Sequence, residues 1–205
     1  MCLYIIEVIK VMKKAFTTAE LLIAMTIIGV VAILVIPGFI QDYIRKVYTA
    51  HVKKIYGLVL ASVEQACNDN NVSNFKLTKY SKAGKENDFL TTYLNVQNST
   101  AGFATTYKSI SGTSKDISLS SGATVKLPGA ETINMACDAS FLCTFTVDVN
   151  GPDKPNVGGR DMFTFTVNPI SNNIEDADAA SKCPSNANGA GCLQTLIDNE
   201  WTMDY

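Results

Sequence analysis

The sequence predicts an α+β chain, one long N-terminal helix followed by an antiparallel β-sheet domain. Three observations carry this expectation. Residues 21–40 read LLIAMTIIGVVAILVIPGFI, with no ionisable side chain in 20 positions. From Ile40 to Val63 the apolar residues recur every three or four positions, the period of a helix with one buried face. Further on the period changes to alternation, FLCTFTVDV over Phe141–Val149 and RDMFTFTVN over Arg160–Asn168, as in strands. A long helix followed by a run of strands is an α+β order.

The helix comes first. Twenty helical residues span about 30 Å, the thickness of a hydrocarbon core, so Leu21–Ile40 reads as a membrane span. A cleaved secretory signal would be shorter and would end in small residues. This run ends in Val35-Ile36-Pro37-Gly38-Phe39. Pro37-Gly38 should weaken the helix where the apolar half gives way to the amphipathic half. The amphipathic pattern continues to about Cys67, where Asn68-Asp69-Asn70-Asn71 stops it. From Thr17 this makes about 50 residues, or roughly 75 Å of helix. The expected organisation is a leader over 1–15, a helix over 16–68 and a sheet domain over 69–205.

Within the domain, Lys85–Leu94 is expected as a short helix burying Phe89, Leu90, Tyr93 and Leu94. Asn95–Ser114, rich in Ser, Thr, Gly and Asn, reads as loop with one strand. Asp116–Leu119 and Thr124–Leu127 flank Ser120-Ser121-Gly122 and suggest a hairpin. The two alternating segments suggest a second antiparallel hairpin with a long connection. Leu193–Met203 closes the domain as a strand or a helix.

Composition limits the function. Net charge is −2, and from Asp69 onward 10 Lys/Arg face 15 Asp/Glu, a net of −5. There is no broad basic field and no direct sign of nucleic-acid binding. No G-x-x-x-x-G-K-[ST] run occurs, so the chain is not a P-loop ATPase. His51 is the sole histidine, which excludes a two-His metal site and leaves a His-dependent triad unsupported. Cysteine spacing and histidine count do not fit zinc. The chain is not expected to be an enzyme.

The most specific window is Lys13-Lys14-Ala15-Phe16-Thr17-Thr18-Ala19-Glu20-Leu21-Leu22. A short basic segment meets a small residue, then Phe, then an acid four positions on, inside the apolar run. This resembles the prepilin-type cleavage and methylation motif of type IV pilins and type II secretion pseudopilins. The motif covers about 25 residues. Ala15 stands where the family usually has Gly, and a start at Met12 would shorten the leader to Met-Lys-Lys-Ala.

The resemblance implies cleavage between Ala15 and Phe16, and N-methylation of Phe16. It implies that Glu20 pairs with the α-amino group of Phe16 in a neighbouring subunit, setting assembly register. A carboxylate within an apolar span costs about 2.5–3.5 kcal/mol on insertion scales, so it needs a partner. Gly29 and Pro37 stand where many pilins carry a Gly and a Pro, between which the filament helix breaks. The implied partners are prepilin peptidase, other pilin subunits, an inner-membrane assembly platform and the lipid bilayer. The implied location is single-pass in the inner membrane with an extracytoplasmic domain, then a pilus or pseudopilus. A minor pilin for DNA uptake or adhesion, and a signal-anchored binding domain, are the alternatives.

Five cysteines follow Ala15. Cys183 and Cys192 bracket a Pro/Ser/Gly-rich loop, which would resemble the disulfide-bounded C-terminal loop of many pilins; Cys137 with Cys143 is the next pair. The odd cysteine stays free or pairs between subunits. Some pseudopilins bind calcium in a loop, and Asp148, Asn150 and Asp153 alternate oxygen side chains around Gly151. The twelve-residue calcium pattern is absent, and a hairpin turn with Asp and Asn capping local donors is the plainer reading.

Overall fold

The computed structural model describes residues 17–97, 102–116, 119, 121–178, 183 and 189–205. The fold is α+β, with a 52-residue helix, α1 (Thr18–Asp69), and a five-stranded antiparallel sheet. The chain divides into two units, one ending at Ile44 and the other comprising Arg45–Tyr205.

In the first unit, α1 exposes its apolar side chains all round, including Leu22, Ile28, Leu34 and Phe39. By length and composition this is a helix able to cross a membrane. The helix passes through Gly29 and Pro37 without a break. Proline removes one backbone donor and crowds one carbonyl, which bends a helix without ending it when the flanking turns hold.

The second unit starts within the helix because the later turns of α1 form one wall of its core. Val52, Ile55, Val59, Val63 and Ala66 are buried at three- and four-residue spacing. Burying the four larger side chains stabilises the unit by about 6–12 kcal/mol, an upper estimate. They meet Ile133, Met135, Phe145, Val147, Phe163 and Phe165 from the sheet in one cluster. The cluster is rich in ring contacts, with Phe145 stacked on Phe165 at 5.7 Å and Phe89 edge-on to Phe75 at 5.4 Å.

Two 3-10 turns, Phe75–Leu77 and Lys79–Ser81, follow α1 and lead to α2 (Glu86–Tyr93). Phe89 and Leu90 of α2 are buried, as its pattern predicts. Strands β1 (Thr106–Lys108) and β2 (Ser114–Asp116) make a small separate ribbon. The main sheet runs β3 (Ala123–Lys126), β4 (Thr132–Cys137), β5 (Cys143–Asp148), β6 (Met162–Val167), β7 (Ile174–Asp176), each strand antiparallel to the next. The predicted β5–β6 hairpin is present, with Phe145 opposite Phe165. A last short helix, α3 (Cys192–Asp198), covers the C-terminal segment.

The expected hairpin of Asp116–Leu119 with Thr124–Leu127 is corrected. Asp116 pairs with Thr106, and β3 pairs with β4 instead; residues 117, 118 and 120 lie outside the described set. The Ser-Ser-Gly signal has another cause. Gly122, at φ +80°, sits where a Cβ would meet the Met135 carbonyl oxygen at 1.9 Å. Glycine is thus required by close backbone approach at the start of β3.

Candidate functional site

The N-terminal window places its carboxylate in a local capping arrangement. Glu20 Oε2 accepts from the Thr17 backbone N–H at 2.8 Å and from the Thr17 hydroxyl at 2.9 Å. The Glu20 N–H donates to Thr17 Oγ1 at 3.2 Å. This reciprocal pair is a capping box, T-x-x-E, at the first turn of α1. It satisfies donors that otherwise lack partners, and it gives the carboxylate two hydrogen bonds within its own chain. Ala15 and Phe16 lie outside the described residues. The cap is legible in the sequence as Thr17-x-x-Glu20, overlapping the leader pattern.

The second half of the helix is tied to the sheet through a buried acid. Glu131, in the β3–β4 turn, has a side chain with 0% exposure, and its Oε1 accepts from Lys54 Nζ at 2.8 Å. His51 Nδ1 lies 3.0 Å from the same oxygen. Burial works against the charge of Glu131. The hydrogen bond from Lys54 and the neighbouring charges outweigh it and hold the carboxyl below its usual range. His51 therefore belongs to a helix–sheet tie. Sequence reasoning missed this site because its partners are 77 or more positions apart.

Two disulfides brace the domain. Cys137 and Cys143 are opposite one another in the β4–β5 register and are bonded. Cys183 is bonded to Cys192, at the start of α3. Asp176 of β7 supports the same end of α3 by accepting from the backbone N–H groups of Gly191 and Gln194. Cys67 is the free cysteine among the described residues; it is buried in α1, and burial pushes its thiol pKa up.

In the stretch compared with a calcium loop, local donors take up Asp148 and Asp161, while Asn150 Oδ1 is buried without a hydrogen-bond partner among the described residues. Asp148 accepts from the Tyr107 hydroxyl and from the Asn150 N–H. Asn150 spends its amide on the Asp153 and Lys154 carbonyls, at 2.7 and 3.2 Å, while Asp153 is exposed. Asp161 accepts from the N–H groups of Asn156 and Val157, both at 2.6 Å. Burial pushes Asp148 up to about 7 and Asp161 up to about 6. A calcium ion needs several free, ionised oxygens. Among the described residues no group of three His, Cys, Asp or Glu is placed to hold a metal.

An apolar N-terminal helix suggests a membrane anchor or signal, and two disulfides suggest an extracytoplasmic domain. The long helix, its later half packed on a disulfide-braced antiparallel sheet, is a pilin-like architecture. Compared with models of known families, with curated proteins and with solved structures, the chain matches none.

Proposed function

We propose that this chain is a structural, non-enzymatic filament subunit of the type IV pilus or type II secretion pseudopilus kind. Prepilin peptidase removes the leader after Ala15, Phe16 is N-methylated, and the apolar half of α1 leaves the bilayer to pack among the same segments of other subunits on an inner-membrane platform. The observation that carries this reading is the division of labour within one helix. Residues 18–44 bury nothing in their own chain, whereas residues 45–69 contribute one wall of a braced core. A helix apolar all round needs lipid or other helices to cover it.

Glu20 then has two successive partners. In the lone subunit Thr17 holds it. In the filament the methylated amine of Phe16 from a neighbour takes over and fixes axial register, because an ion pair in an apolar surrounding tolerates little misalignment. Replacing Glu20 by Ala should leave leader removal intact and abolish most filaments in a host with the assembly machinery. Normal filament yield from Glu20→Ala would remove this role.

A further inference from the structure

The surface of the second unit carries two oppositely charged patches at different levels along α1. The first follows the end of the helix. Residues 72–85 contain Lys76, Lys79, Lys82 and Lys85 and no acid. Lys85 is paired with Asp88 at 2.9 Å, but no ion pair holds the other three among the described residues. All three are exposed, and Leu77 between them is 61% exposed. Lys79 Nζ lies 4.9 Å over the Tyr80 ring. Tyr80 meets Tyr93 edge-on, with ring centroids 5.4 Å apart.

The second patch lies nearer the other end of the docked helix. Residues 189–205 contain Asp198, Glu200 and Asp204 and no Lys or Arg. All three are exposed, and none is in an ion pair among the described residues. Among the described residues, Asp198 and Asp204 accept from neutral amides, those of Gln194 and Asn199. Trp201 anchors this corner on Tyr56, with ring centroids 5.5 Å apart, and Lys53 Nζ lies 5.5 Å over its ring. From Tyr56 to Asp69 is 13 residues of helix, about 20 Å along the axis.

We infer that the lysine ridge, Lys76, Lys79 and Lys82, docks on the acidic corner, Asp198, Glu200 and Asp204, of a second copy of this chain. This inference rests on the filament reading and deepens it. Two complementary patches offset along the helix axis can pair about a two-fold axis or head to tail; the filament reading selects the head-to-tail contact, which repeats into an open helical array. Charge complementarity favours this occupant: the domain is acidic as a whole, so the ridge is its exceptional surface and its own acidic corner the complement. Exposed Leu77 and half-buried Trp201 give each patch an apolar element to cover.

The test uses the full chain in a host with active assembly machinery. Wild-type filaments grown from mixed isotopically labelled and unlabelled subunits are treated with a zero-length carboxyl–amine cross-linker. Mixed-label peptides joining Lys79 or Lys82 to Asp198 or Glu200 are expected. Lys79→Glu with Lys82→Glu should lower filament yield about tenfold, as should Asp198→Lys with Glu200→Lys. Combining both pairs should restore it. These are exposed positions, so thermal midpoints of the variants should stay near wild type and separate assembly from folding. Abundant filaments lacking the cross-link, or normal yield from either reversal, would overturn the contact and leave the filament reading standing. DNA retained by wild-type filaments but lost from the lysine variants at unchanged yield would assign the ridge to a polyanion and overturn it too. A wild type processed by no peptidase and forming no filament would remove the filament reading itself, and the contact with it.

Discussion

Replacing Lys54 by Met should expose how strongly the helix depends on the buried acid of the sheet. The substitution keeps the aliphatic stem and removes the ammonium 2.8 Å from Glu131 Oε1. Glu131 has 0% side-chain exposure, so the carboxylate keeps its charge in a site that no longer offsets it. Breaking a fully buried pair costs roughly 3–5 kcal/mol. Lys54 is 57% exposed, so water already screens part of the interaction, and a loss of about 2 kcal/mol is the better expectation. With a urea dependence of about 2 kcal/mol per molar, the unfolding midpoint should fall by about 1 M. Trp201, the sole tryptophan, packs on Tyr56 of the same helix and reports the transition by fluorescence in detergent. The carboxyl of Glu131 is held below its usual range, so its contribution is present above about pH 4.3 and is lost as pH falls through the folded value. Glu131→Gln should remove that acid-side loss. A Lys54→Met protein as stable as wild type at pH 8 would refute the reasoning, because a buried, unoffset carboxylate cannot be free of cost.

Two other expectations concern the sheet. Asp148 and Asp161 are raised by burial, so they stabilise the fold most below about pH 4 and lose that contribution as pH rises through about 6 to 7. Asp148→Asn, which keeps an acceptor for Tyr107, should flatten stability measured between pH 5 and pH 8. Under non-reducing conditions peptide mapping should find Cys137–Cys143 and Cys183–Cys192 linked. Cys67 should alkylate only after denaturation, and Cys183→Ser with Cys192→Ser should cost about 2–3 kcal/mol through the small loop they close.

What the sequence disclosed followed from period. The helix was legible because 20 uninterrupted apolar residues and a three-and-four spacing leave little choice of structure. β5 and β6 were legible because their side chains alternate. β4, Thr132–Cys137, was not, since Thr-Ile-Asn-Met-Ala-Cys alternates weakly and mixes residues with little strand preference. β7 has three residues, too few to show a period. The misassigned hairpin came from taking Gly122 as a turn residue, when its lack of a side chain serves a cross-strand approach to Met135. At the candidate sites, Glu20 stood out because a charge inside an apolar run is conspicuous. Nothing in the sequence marks Glu131; only the fold brings His51 and Lys54 to it. Asp176 likewise gains its role only when β7 meets the start of α3, 15 positions on.

The central claim is that this chain matures by losing a leader ahead of its apolar helix and then assembles through that helix. Intact mass of the chain extracted from membranes of a host with active prepilin peptidase tests it most directly. The account predicts the mass of residues 16–205, less four hydrogens for the two disulfides and plus one methyl group. A chain that keeps residues 13–15, or one cut after the apolar run, would contradict it.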